Sequence, residues 1–128
     1  MNYYNEIKKE LINNEITKKI KDYSKNRSDL NTYYNVGKLL SEAGKHYGEG
    51  IIKEYSKRLT QELGRGYGLS SLKNMRKFYL LFSKSQAVPD QLTWSHYVEL
   101  LKFDNMESIN YYIDISVRNA LWIQKNII

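Results

Sequence analysis

Apolar residues return along this chain at helical spacing, and strand-like alternation is scarce. Ile7, Leu11, Ile12, Ile16, Ile20 and Tyr23 predict one long first helix with a single apolar stripe. Asn2 stands where a cap belongs, and the polar cluster Ser24-Lys25-Asn26-Arg27-Ser28 should break or bend that helix. A second helix is predicted from about Asp29 to Ala43, with Leu30, Tyr33, Tyr34, Leu40 and Ala43 inward. Gly44 sits at the position of a left-handed terminator, and His46 to Gly50 reads as a turn.

A third helix carries Ile52, Tyr55, Leu59 and Leu63 on one face. It should end in Gly64-Arg65-Gly66-Tyr67-Gly68, which is too glycine-dense to stay helical. The fourth runs from about Leu69 or Ser70 to Ser83 and buries Leu72, Met75, Phe78, Tyr79 and Phe82. The only proline, Pro89, lies in the connector from Ser83 to Gln91. Thr93 can cap a short helix with Trp94, Tyr97, Val98 and Leu101 inward, and Trp94 and Leu101 should both be buried. Met106 to Ile128 forms one or two further helices containing Ile109, Tyr112, Ile113, Val117 and Leu121. No internal repeat or low-complexity tract interrupts the pattern.

At 128 residues the chain is long enough for one domain with its own core, spanning 1–128. It is 41% hydrophobic and 13% aromatic, too apolar for a disordered tail. The absence of cysteine excludes disulfides, thiolate zinc sites and cysteine nucleophiles. The opening MNYYNEIKKELINNEI lacks the apolar core of a signal peptide, and no run approaches the roughly 18 apolar residues of a membrane span. A soluble cytoplasmic protein is therefore expected.

Charge is concentrated on the third and fourth helices. Between Ile51 and Lys84 eight basic residues face two acidic ones, a surplus equal to the formal net charge of +6 for the whole chain. A positive stripe on a helix–turn–helix pattern is the footprint of a duplex-DNA reader. The bland alternative is a solvated lysine face on an ordinary helical protein.

At about 100° per residue, Leu72, Met75, Tyr79 and Phe82 share one arc of the fourth helix. Ser70, Lys73, Lys77 and Lys84 lie opposite, with Asn74 adjoining and Arg76 at the border. A recognition helix needs this split, one face locked on a partner helix and the other presenting polar and cationic groups. Gly66 and Gly68 are expected to allow the tight turn, and the helix N-terminus offers a positive dipole end to a phosphate. Of the aromatics, most of them at core spacing, Tyr67 in the turn is the candidate backbone or base contact.

Catalytic patterns are lacking. The glycine cluster follows a helix and has no Gly-Lys-Ser/Thr, so it is no phosphate loop. His46 and His96 lie far apart without ligand-spaced partners, and His96 suits capping or a surface contact. No serine or cysteine triad is present. Glu6-Ile7-Lys8 and Pro89-Asp90 mimic nuclease fragments, but neither has the strand that would hold metal-binding carboxylates together.

Beginning at Tyr33-Tyr34-Asn35-Val36-Gly37-Lys38-Leu39-Leu40, the chain resembles the N-terminal domain of the YhcG-like family of suspected PD-(D/E)XK nucleases. The resemblance continues through Tyr47-Gly48, Ile52 to Leu59, Gly66-Tyr67, Leu72, Met75-Arg76 and Phe78-Tyr79. It is sharpest at Leu92-Thr93-Trp94-Ser95-His96-Tyr97 with Leu100-Leu101, and Tyr111-Tyr112-Ile113 fits the next helix. It covers about residues 5 to 128. It implies a helical, winged-helix-like DNA-binding module, followed in full-length members by a nuclease domain acting in mobile-element or defence-linked DNA processing. The chain departs from the family at Gly68, where a serine or threonine is usual nearby, and at Ser71, where an asparagine is usual. The family continues beyond the last helix, so the expectation is a stand-alone or truncated module, or one whose nuclease is a separate chain. Nuclease activity does not carry over.

The expectation is thus an all-α, compact multi-helix domain with a helix–turn–helix and room for a short wing-like hairpin. It binds duplex DNA without catalysis, cofactor or metal. Lys73, Lys77 and Ser70 are the groove contacts, with Asn74 and Ser71 secondary and Arg76 beside them. Arg65, Lys57, Arg58 and Lys84 are phosphate clamps. Besides DNA, a nuclease domain or subunit in trans and a second copy of the chain are candidate partners; a membrane is not. The rival from another class is a protein–protein adaptor whose aromatic helices dock a separate nuclease subunit.

Overall fold

The computed structural model describes residues 2–20, 25–84, 92–103 and 105–126, with only the backbone described at 18–20, 25–27, 117 and 119–126. It contains α1 (Tyr3–Ile20), α2 (Lys25–Tyr47), α3 (Gly50–Leu63), α4 (Leu69–Phe82), α5 (Trp94–Leu100) and α6 (Met106–Asn126). The fold is all-α. No strand occurs among the described residues, so the wing-like hairpin finds no support.

The Asn2 side chain caps α1 as expected, accepting the Asn5 N–H at 3.0 Å. The stripe that α1 buries differs from the one its isoleucines predict. Tyr4, Ile7 and Leu11 are buried together with Asn14, whereas Ile12 and Ile16 are 38% and 52% exposed. Asn14 can be buried because its amide donates to Asp29 Oδ1 at 2.9 Å and its carbonyl accepts from Ser28 Oγ at 2.5 Å. A buried amide with both ends satisfied loses little on leaving water. Ile20 and Tyr23 lie outside the described side chains.

The same contacts place the start of α2 beside the middle of α1. The first helix ends at Ile20, and Lys25 to Ser28 already belong to α2, which begins four residues earlier than Asp29; Ser24 lies outside the described residues. At its other end α2 passes straight through Gly44 and stops at Tyr47. The left-handed residue is Gly48, with φ +87°, whose N–H returns to the Gly44 carbonyl at 2.9 Å. Packing along the whole helix outweighs the roughly 1 kcal/mol that a helical glycine costs.

Helix α2 is the centre of the molecule and packs against α1, α3, α4 and α5. One core cluster gathers Ile7 and Leu11 of α1, Val36 and Leu40 of α2, Ile52 and Leu59 of α3, and Leu72 and Met75 of α4. A second joins Phe78 and Phe82 of α4 to Leu92, Tyr97, Leu100, Leu101, Ile109 and Ile113. Trp94 packs against both, with its ring 4.7 Å from Tyr33 and 5.2 Å from Phe78. It is half-buried, not fully buried as its spacing predicts, because it opens α5 at the seam between the clusters. Leu101 is buried as expected, and Tyr112 on α6 is 42% exposed. Val117 and Leu121 lie outside the described side chains.

Thr93 caps α5 with a partner in His96: the Thr93 hydroxyl accepts the His96 N–H, and the imidazole accepts the Thr93 N–H at 3.2 Å. This reciprocal pair satisfies two orphan donors at the helix start.

Candidate nucleic-acid interface

The turn between α3 and α4 is built on two left-handed glycines, Gly64 (φ +95°) and Gly66 (φ +108°). Ser56, buried on α3, pins it by donating to the Tyr67 carbonyl at 2.9 Å. Gly68, expected to share the tight turn, is extended (φ −65°, ψ 168°) and stands immediately before α4. Having no side chain, it leaves the N-terminus of α4 without a side-chain cap. The first N–H groups of a helix are then directed outward beside the positive end of its dipole.

On α4 the faces divide as the sequence predicts. Leu72, Met75, Phe78 and Phe82 are buried, Tyr79 is half-buried, and Ser70 and Lys73 are exposed on the opposite side; Lys84 is exposed in the turn that follows the helix. Lys77 belongs to the same strip and is half-buried. Asn74 and Ser71 are also half-buried, with Ser71 turned toward the packed side of the helix. Leu80, 49% exposed, interrupts the lysines.

Lys73, Arg76, Lys77 and Leu80 form one wall of a groove of about 580 Å³, and Ser41, Gly44 and Lys45 of α2 form the other. Lys45 is the basic residue that sequence reasoning missed. Ending the second helix at Ala43 hid it, whereas carrying α2 to Tyr47 puts Lys45 one turn beyond Ser41. Arg76 is committed elsewhere in part: its guanidinium pairs with the Glu49 carboxylate and ties α4 to the α2–α3 turn.

The four clamp candidates do not form one cluster. Arg58 lies over the Tyr4 ring, 3.7 Å from its centroid, on the flank of α3 that faces α1. There the Tyr4 hydroxyl donates to Glu62 at 2.7 Å, and Lys8 pairs with the same carboxylate at 2.5 Å. The bonds from Lys8 and Tyr4 hold the Glu62 carboxyl below its ordinary value. Burial, with the Glu62 bond adding to it, pushes the Tyr4 phenol up to about 12. Lys57, Arg65 and Lys84 are exposed and form no ion pair with any described residue, and the same holds for Lys73. Tyr67 is half-buried in the turn.

A second surface is apolar. Phe103 stacks on Tyr112 with centroids 4.9 Å apart and planes at 16°, and Tyr111 lies beside them. Tyr111 is 61% exposed. Among the described residues no group of histidine, aspartate and glutamate stands close enough to hold a metal ion. No helix among them is long and apolar enough to cross a membrane.

The family model of the DUF1016 N-terminal domain matches residues 6–126. The chain belongs to that family. No curated protein and no solved structure matches it. The family is the YhcG-like one to which the motifs point, and the match runs from α1 to the last described residue of α6. In this DUF1016 N-terminal domain the positions carrying the resemblance are largely architectural. Gly37 lies against α4, Gly48 ends α2, and Thr93 with His96 caps α5.

Proposed function

We propose that this DUF1016 N-terminal domain is a non-catalytic cytoplasmic module that binds duplex DNA through α4 and the adjoining groove. The observation that carries the reading is the strip of Ser70, Lys73 and Lys77, which lies opposite the face that α4 buries, with the exposed Lys84 two residues past the end of the helix. Lys45 adds charge from α2, and the uncapped start of α4 adds backbone donors. Lysines in such a row neutralise phosphates and release condensed counterions, which gives affinity with little sequence information. Lys73 and Ser70 are the leading groove contacts, while Arg76, held by Glu49, positions α4. Arg65, Lys57 and Lys84 contact flanking phosphates; Arg58, on the α1 flank, reaches only a strand that wraps past α3. A nuclease domain or subunit supplies the chemistry.

The test is an anisotropy titration of a short blunt duplex at several salt concentrations. Engagement of about four to six phosphates predicts weak binding that falls steeply between about 50 and 200 mM salt. No binding at low salt, or indifference to salt, would overturn the reading.

A second reading rests on the exposed Phe103, Tyr111, Tyr112 and Ile115. Contiguous exposed aromatics are characteristic of protein interaction sites, so this surface would dock a separate nuclease subunit or a second copy of the chain. It predicts that replacing Phe103 and Tyr112 by alanine abolishes that association and leaves DNA affinity unchanged.

A further inference from the structure

Across the α2–α3 corner from the lysine groove, the structure contains a second recess of about 360 Å³, lined by Asn2, Tyr3, Tyr47, Glu54, Tyr55 and Arg58. Tyr47, the last residue of α2, is 63% exposed. Its ring is steadied edge-to-face by Tyr3 at 6.3 Å and flanked by His46 at 6.2 Å. Tyr3 and Tyr55 are themselves buried, so they form the floor and Tyr47 the free platform. On the rim Arg58 is held in place by its contact with the Tyr4 ring, and Glu54 is exposed beside it.

We infer that this recess takes a single unpaired nucleobase. The inference rests on the duplex reading above and extends it to the junction of double and single strand. Arg58 and Glu54 oppose each other in charge, so the recess favours neither a bare anion nor a cation. They offer one donor group and one acceptor group, which match the edge of a neutral planar base, and the ring of Tyr47 offers a face for stacking. The recess is near the lower bound of about 300 Å³ for ligand pockets, the scale of one base with part of its sugar. Location supplies the connection. Glu49, on the wall of the lysine groove, is two residues from Tyr47. A strand leaving the groove over the α2–α3 corner would meet the platform next.

The experiment compares three probes by anisotropy and by 2-aminopurine fluorescence: a blunt duplex, the same duplex with a short single-stranded overhang, and adenosine monophosphate. The full chain should prefer the overhang by at least about fivefold, the loss expected for one base–aromatic stack, and should quench 2-aminopurine placed in the overhang. Tyr47→Ala, at an exposed position, should remove the preference and the quenching and leave blunt-duplex affinity intact, while Tyr47→Trp should restore both. Equal affinity for the two DNA probes, or an equal loss for both in Tyr47→Ala, overturns the inference and leaves the duplex reading standing. Tyr47-dependent binding of the overhang without binding of the blunt duplex supports the recess and refutes the duplex reading. Tyr47-dependent binding of the mononucleotide with no overhang preference overturns the inference in favour of a free-nucleotide site.

Discussion

Gly37 of α2 lies directly against the backbone of Met75 on α4. A Cβ placed on Gly37 would fall 2.1 Å from the Met75 carbonyl oxygen and 2.8 Å from Tyr79 Cβ. The two helices that form the lysine groove therefore meet at a point where only hydrogen fits. Gly37→Ala should destabilise the domain by about 1–3 kcal/mol, since backbone cannot yield as a flexible side chain does. A urea melt measures this directly, and a stability equal to the parent's would mean the helices do not touch there.

Gly44 should respond with the opposite sign. It too is helical, but a Cβ there would meet only Glu49 Oε1 at 3.6 Å and Arg76 Nη1 at 3.9 Å, ordinary contacts. Gly44→Ala should stabilise by about 0.4–1 kcal/mol. Had Gly44 been the left-handed terminator that its sequence position implies, the same substitution would destabilise. The sign in a thermal melt separates the two.

Trp94→Ala should cost about 3 kcal/mol, the low end for a core aromatic, because the ring is half-buried yet joins both clusters. The loss should extend to α5 and α6, read as faster amide exchange at Ile109 and Ile113. Exchange unchanged at those two residues would contradict the bridging role.

The Tyr4–Glu62–Lys8 contact predicts a pH dependence at both extremes. The folded pKa of Glu62 lies below its ordinary value of 4.5. Its contribution is therefore full above 4.5 and lost as pH falls through the depressed value. Tyr4 is raised from 10.0 to about 12, so its contribution is full below 10 and lost as pH rises toward 12. Glu62→Gln should flatten the acid limb of a stability–pH profile. An acid limb identical to the parent's would remove Glu62 from the account.

The faces of α4 were legible because burial and charge alternate there at one period, with Leu72 and Met75 inside and Lys73 outside. Helix α1 was misread because its stripe passes through Asn14, and a buried amide is recognisable only once Ser28 and Asp29 are beside it. Composition favoured Ile12 and Ile16, which instead face solvent. Lys45 was missed for a related reason: a glycine in sequence does not reveal whether its φ is positive, and Gly48 took the role assigned to Gly44. The tyrosine recess draws residues from Asn2 to Arg58 out of three helices, and no linear spacing encodes that convergence. Arg58 and Arg76 look like free cations in sequence and acquire partners, Tyr4 and Glu49, only through the packing of α1 against α3 and of α4 against the corner.

The central claim is that the exposed lysines of α4 and of the turn after it contact DNA, and charge reversal tests it most directly. Lys73 and Lys84 are both exposed and outside the core, so Lys73→Glu with Lys84→Glu should change stability by no more than about 0.5 kcal/mol each. Anisotropy titration of a blunt duplex, run beside a melting curve, should show affinity reduced at least about tenfold and a shallower salt dependence, as a groove contact and a phosphate contact become repulsive. An unchanged affinity with an unchanged melt would contradict the claim and move the function to the aromatic surface around Phe103 and Tyr112.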